Sequence, residues 1–237
     1  MKNIKLLILI FLQACSQMYS QKSENITVQK FKEYCDSGKG IILDVRTPGE
    51  YTKGHIEGAT HINIADKAFE NKINLMQKDK PIYVYCLSGG RSASASQILK
   101  KNGFKEVYNL DGGILSWQKA GFNLETSKEV VTSSTPELTS NELNKILKTN
   151  KLVLCDFNAA WCAPCKQMLP IIEKTETDFK SKINVQKIDI ESSSELAKSY
   201  NVFSIPTFLL FKDGKKVWEK NGVISYVELT EIIKKNL

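Results

Sequence analysis

Short apolar runs of strand length alternate with segments of helical periodicity twice along this 237-residue chain, and a polar stretch separates the two series. In the first series, Ile41–Val45, Pro81–Tyr85 and Glu106–Leu110 read as buried strands. Thr27–Cys35, Ala65–Gln77, Ser92–Lys101 and the segment from Gly113 to Gly121 read as helices between them. In the second, strands at Leu152–Phe157 and Val185–Ile190 alternate with helices at Ser140–Lys148, Cys162–Phe179, Ser193–Tyr200 and Val227–Lys235. A hairpin around Asp213-Gly214 joins Thr207–Lys212 to Lys216–Lys220. Strands alternating with helices imply parallel pairing, because a parallel connection needs a crossover, with helices on both faces of the sheet. The chain therefore reads as α/β in two domains, 24–125 and 137–237. The linker over 126–136 is polar, Ser/Thr-rich and ends at Pro136.

Residues 1–21 read as a targeting segment. Lys2 and Lys5 precede an apolar run, Leu6–Leu12, that is too short for a permanent membrane span, which needs about 20 residues. That is the design of a secretory signal. Its end, Leu12-Gln13-Ala14-Cys15, is similar to a bacterial lipobox, which makes Cys15 the candidate for lipidation; simple cleavage near Ser20 and a retained anchor are the other readings. All three put the remainder in the periplasm or cell envelope, and a lipid on Cys15 would hold it at a membrane surface without spanning. The net charge of +7 is spread thinly, +3 over residues 22–125 and +2 over 134–237. With no arginine-rich block, nucleic-acid binding has no support.

Two segments carry thiol chemistry. Cys86-Leu87-Ser88-Gly89-Gly90-Arg91-Ser92 runs from the end of a buried strand into a helix. It stands at the carboxyl edge of a parallel sheet, where such sheets bind ligands. Gly89 and Gly90 let the backbone curl so that amides point inward, and the helix start adds its positive end. A thiolate, or an anionic persulfide, is stabilised in such a cradle. In the other half, Cys162-Ala163-Pro164-Cys165 follows Trp161 at the start of a long helix. Unpaired amides and the helix dipole there favour an anion, so Cys162 is the attacking thiolate. Cys165, one turn in and more buried, is the resolving thiol. The chain has no second C-x-x-C or histidine pair for zinc, and no metal or cofactor is expected. Cys155 reads as core and Cys35 as an idle thiol.

The first half resembles the rhodanese family over about residues 25–125. The motifs are Leu43-Asp44-Val45-Arg46-Thr47-Pro48-Gly49-Glu50-Tyr51, Gly54-His55-Ile56-Glu57-Gly58-Ala59, the Cys86–Ser92 loop, and Leu110-Asp111-Gly112-Gly113 with Trp117. The resemblance implies a parallel sheet flanked by helices and sulfur transfer through a persulfide on Cys86. Arg91 and the loop residues Leu87, Ser88, Gly89, Gly90 and Ser92 would hold the sulfur. Tyrosine-phosphatase-like loops are one residue longer, so the spacing here favours sulfur over phosphate. Leu87 stands where thiosulfate-using rhodaneses tend to have a basic residue, which puts thiosulfate in doubt as the physiological donor. His55 is expected to order its turn, and Asp44, Arg46 and Glu50 read as a structural polar network.

Residues 137–237 resemble thioredoxin through Asp156-Phe157, Trp161–Lys166, Pro170 and Ile205-Pro206-Thr207. This implies a mixed central sheet and a redox disulfide between Cys162 and Cys165. It also implies a buried Asp156 that moves the proton of Cys165, and a cis Pro206 whose neighbour Ile205 pairs with substrate backbone. Lys187 and Gly222 match further family positions, whereas Ala163 and Asn158 depart from the commonest thioredoxin, and Asn158 is expected to alter the groove for partners. The combined reading is an exported sulfurtransferase and thiol–disulfide oxidoreductase. Its partners are small sulfur donors, thiol or disulfide proteins and a membrane thiol-reductant donor. The alternative is a disulfide reductase with a non-catalytic rhodanese-like binding module.

Overall fold

The computed structural model describes residues 22–126 and 136–237. The signal-like segment with Cys15 and most of the linker lie outside the described residues. The first domain is a five-stranded sheet in the order β1-β5-β4-β2-β3, and every pairing is parallel. The strands are β1 (Lys22–Ile26), β2 (Ile41–Asp44), β3 (Thr60–His61), β4 (Ile82–Tyr85) and β5 (Glu106–Leu110). The helices are α1 (Val28–Asp36), α2 (Pro48–Lys53), α3 (Phe69–Asn74), α4 (Gly90–Lys101) and α5 (Gly113–Lys119). All four residues of β4 are buried. Val84 and Ile82 pack with Leu43, Ile73 and Leu99, while Tyr83 and Tyr85 pack with Phe31, Ile114 and Trp117 on the other face. That two-sided burial is why the strand is apolar without alternation.

The second domain has a four-stranded sheet, β7-β6-β8-β9, in which β6 and β7 are parallel and the rest antiparallel. Its strands are β6 (Leu152–Asn158), β7 (Asn184–Asp189), β8 (Thr207–Lys212) and β9 (Lys215–Asn221). Its helices are α6 (Ser140–Thr149), α7 (Ala163–Asp178), α8 (Ser194–Ser199) and α9 (Tyr226–Asn236). Thr139 with Glu142 and Ser225 with Glu228 form capping boxes that start α6 and α9 by satisfying otherwise unpaired amides. Leu154, Phe208 and Leu210 bury one sheet face against Met168 and Ile172 of α7 and Leu229 and Ile233 of α9.

The helix expected over Ala65–Gln77 contracts to Phe69–Asn74. Asp66 holds a turn before it, accepting the Ala68 amide at 2.9 Å, and Leu75–Gln77 leave the helix to meet the other domain. Periodicity gives no sign of β1, β3 or α2. β1 is polar (KSENI), and β3 and α2 are two and six residues long, too short for a pattern to register.

The domains touch directly. The Ala163 amide donates to Thr60 Oγ1 at 3.1 Å, and the Ile205 amide donates to the Leu75 carbonyl at 2.9 Å. Lys72 pairs with Glu191 at 3.1 Å and with Asp66 at 3.2 Å. The apolar cluster on one face of the first sheet continues through Met76 into Trp161, Val202 and Ile205.

Candidate functional site

Cys86 follows β4 and is 1% exposed, while Leu87, Ser88 and Gly90 lie at the surface above it. The loop curls through Gly89, whose φ of 102° is left-handed and suits glycine. The Gly89 amide then donates to Cys86 Sγ at 3.1 Å, and the Ser92 hydroxyl donates at 3.3 Å. Burial by itself would raise the thiol pKa. The Ser92 hydroxyl and the amides of Ser92, Gly89 and Ser88 outweigh it and hold the thiol below its ordinary value. The loop is braced from behind by α5: the Ile114 amide donates to the Cys86 carbonyl at 2.9 Å and the Leu115 amide to the Leu87 carbonyl at 3.2 Å. Gly113 makes that approach possible, because a Cβ there would lie 2.5 Å from the Leu87 carbonyl oxygen.

Arg91 does not bond the sulfur directly. Its guanidinium grips Glu50 through two bonds, 2.8 and 2.6 Å, and adds only a long-range positive field at Cys86. Glu50 acts on Arg46 only through its charge, and its direct bonds link α2 to the Cys86 loop. Asp44 and Arg46 do form a buried pair at 2.6 Å, and Arg46 also donates to the Gly54 carbonyl. His55 stacks on Tyr51 with ring centroids 3.7 Å apart and bonds the Tyr51 carbonyl, a structural placement.

In the second domain Cys162 caps α7 and forms a disulfide with Cys165, and the Cys165 amide donates to Cys162 Sγ at 3.2 Å. The expected difference in burial between Cys162 and Cys165 is absent, and both are buried. Cys162 is 3% exposed and Cys165 4%, because the first domain covers the side from which Cys162 would be reached. Trp161 is buried beside them. The Ile205–Pro206 peptide bond is cis. Asp156 is buried in the centre of β6 with Oδ1 unpartnered. Burial pushes its carboxyl up to about 7, against the smaller opposing pulls of Asn158 and Lys187. Asn158, which the sequence assigns to the partner groove, turns inward instead: its amide reaches Asp156 Oδ2 at 3.4 Å and the Asp156 carbonyl at 3.1 Å. The bond to Oδ2 favours the charged form of Asp156, against the larger effect of burial.

The two thiol sites are not brought together. The Cys86 loop follows β4 and so stands at the carboxyl edge of the parallel sheet. A small cleft that includes Pro164 and Gln167 of the redox helix is lined by Gly40, Gly58 and Lys80, from loops that precede β2, β3 and β4 at the amino edge. Thr60, Leu75 and Gln77 carry no local signal in the sequence. Their role at the redox site comes from contacts with residues a hundred or more positions away in the chain.

A C-x-x-C disulfide capping a helix, with a cis-proline loop on a mixed sheet, defines a thiol–disulfide oxidoreductase domain. A family model described as "Rhodanese-like domain" matches residues 27–120, and one described as "Thioredoxin" matches residues 134–235. The chain is 42% identical over 93 residues to a thioredoxin of Mycoplasmoides gallisepticum, covering 39% of this chain and 92% of that protein. It is 40% identical over 93 residues to a thioredoxin of Rickettsia bellii, covering 39% and 89%. Among solved structures, mitochondrial thioredoxin 3 from Saccharomyces cerevisiae in its oxidised form has 32% identity and a TM-score of 0.40, covering 43% of this chain and 95% of that one. The chain belongs to the thioredoxin family through its second domain and carries a rhodanese-like domain in its first.

Proposed function

We propose that the chain is an exported sulfurtransferase joined to a thioredoxin-type dithiol. Cys86 accepts a sulfane sulfur as a persulfide. The Cys162/Cys165 dithiol then reduces it, or reduces disulfides of other proteins. In the first case Cys162 attacks the persulfide and Cys165 displaces the resulting bond. Two thiols become one disulfide, two electrons pass to the persulfide, and sulfide leaves while Cys86 returns to a thiol. Arg91 and the loop residues Leu87–Gly90 and Ser92 frame the sulfur, Asp156 takes and returns the proton of Cys165, and Trp161, Ile205 and Pro206 form the substrate rim. The observation that carries the sulfurtransferase reading is the cradle at Cys86, where two donors reach one buried Sγ at 3.1 and 3.3 Å. Mass spectrometry of the protein after incubation with thiosulfate or polysulfide tests it. A 32 Da adduct on Cys86, absent from Cys86→Ala, is the expected result; an unmodified Cys86 with both donors would end the reading.

A second reading is favoured by the contacts Ala163–Thr60 and Ile205–Leu75, in which the first domain binds the redox face. It makes the first domain a non-catalytic binding module, and it requires Cys86→Ala to leave all cellular phenotype intact. The export part of the proposal rests on Lys2, Lys5 and the apolar run up to Cys15. Cys15→Ala should move the protein from the membrane fraction to the soluble one; unchanged fractionation would remove the lipid anchor.

A further inference from the structure

The redox disulfide is closed off by the chain's own first domain. Cys162, Ala163 and Cys165 are 3%, 6% and 4% exposed. Thiol–disulfide exchange needs an incoming sulfur in line with the disulfide, and a sulfur buried to this extent offers no such line. The cover is built from three contacts on three separate segments of the redox domain, the start of α7 and two loops. Ala163, between the cysteines, donates its amide to Thr60 Oγ1 at 3.1 Å. Ile205, directly before Pro206, donates its amide to the Leu75 carbonyl at 2.9 Å. Gly222, whose amide donates to the Pro206 carbonyl, faces Gln77 so closely that a Cβ would lie 2.5 Å from Gln77 Nε2.

We propose that Leu75–Gln77 is the resident occupant of the redox domain's peptide groove, and that the domains must part before Cys162 can meet a sulfur from any partner, Cys86 included. The Ile205–Leu75 bond is main chain to main chain, so it reads no side chain, and any extended segment can take its place. The natural competitor is the extended stretch flanking a cysteine in a disulfide-bearing polypeptide. The closure is built to open. A cleft of about 1220 Å³ remains between the domains, from Lys72 and Met76 on one side to Trp161 and Phe203 on the other. Phe203 is 73% exposed. The ion pair across the interface, Lys72–Glu191, is partly exposed at both partners and so contributes little. The sulfur of Cys86 lies at the other edge of its sheet, so transfer within the chain also requires this opening.

The proposal rests on reading Cys162–Cys165 as a redox pair, and the test separates the two. In the full-length oxidised protein, Glu191→Lys sets a second ammonium group against Lys72. Amide hydrogen exchange at Ile205, and the rate at which tris(2-carboxyethyl)phosphine reduces the disulfide, should both rise about three- to tenfold, the range for turning a partly exposed attraction into a repulsion. The double variant Lys72→Glu/Glu191→Lys should return both towards the wild-type values. Thr60→Val, which leaves the Ala163 amide unpaired, should raise both again. The proposal is overturned if Ile205 exchanges as fast in the wild type as in both single-site variants, or if the disulfide is reduced at one rate in all four proteins. If exchange responds as expected but no variant reduces insulin disulfides, the closure stands and the oxidoreductase reading falls.

Discussion

Glu50 and Arg91, 41 residues apart, form a two-bond ion pair of 2.8 and 2.6 Å that ties α2 to the end of the Cys86 loop, where α4 begins. The Arg91 guanidinium holds the Glu50 carboxyl down at about 2, from an ordinary 4.5. A depressed carboxyl adds stability that is complete above its unfolded value and is lost as pH falls through the folded one. The pair therefore supports the first domain above about pH 4.5 and fails towards pH 2. Because both partners are partly exposed, Glu50→Gln should cost only about 1 kcal/mol at neutral pH. Urea unfolding at pH 7 and pH 3 checks this: the variant should lag the wild type at the higher pH and approach it at the lower.

Ser92→Ala deletes the hydroxyl that reaches Cys86 Sγ and leaves the burial in place. The Cys86 thiol should then titrate at higher pH. Iodoacetamide alkylation of Cys86 should fall severalfold at pH 7 and recover at alkaline pH. An unchanged alkylation profile would mean that the loop amides alone hold the thiolate.

Asp156 is a buried acid with one unpartnered oxygen, titrating near 7 against an ordinary 3.8. Its raised pKa means that the charged form is disfavoured in the fold, so the residue costs stability progressively from about pH 4 upwards and fully above about pH 7. Asp156→Asn should match the wild type near pH 4 and exceed it at pH 8 by about 2–4 kcal/mol, seen as a higher Tm. Insulin reduction at pH 7 should fall about a hundredfold, the lower end of what a general base contributes. Asn158→Ala removes the bond that opposes the shift and should push the Asp156 titration further up.

Gly113→Ala combines a left-handed backbone, φ 58°, with a Cβ 2.5 Å from the Leu87 carbonyl. The left-handed conformation alone costs about 1–2 kcal/mol for a residue with a Cβ, and the contact forces the Cys86 loop to move. Sulfur loading of Cys86 should fall at least tenfold while insulin reduction by Cys162/Cys165 continues, two activities separable in one preparation.

Much of the chain is legible locally. The buried strands Ile82–Tyr85 and Leu152–Asn158 each deliver a loop with a candidate nucleophilic cysteine, and both loops show in the order of residue types. Cys162 caps its helix because a C-x-x-C pair after a buried strand leaves unpaired amides at that point. Less legible is the segment after Asn74. Its apolar spacing reads as more helix, yet Leu75–Gln77 serve the other domain. Glu50 likewise reads as part of the Asp44–Arg46 network, because nothing near it in sequence names Arg91 as its partner.

Which sulfurs are the candidates for reaction, and what cradles them, is written in the order of residues alone. A thiolate's stabilisers lie within six residues of it along the chain, at Gly89 and Ser92 for Cys86 and at the helix start for Cys162. Where those sulfurs face is settled by packing: Cys86 at the carboxyl edge of its sheet, and the disulfide closed against Thr60, Leu75 and Gln77. The difference is one of range. Helix caps and loop amides act between near neighbours, whereas one domain meets another through single main-chain bonds and shape, which have no period and no motif.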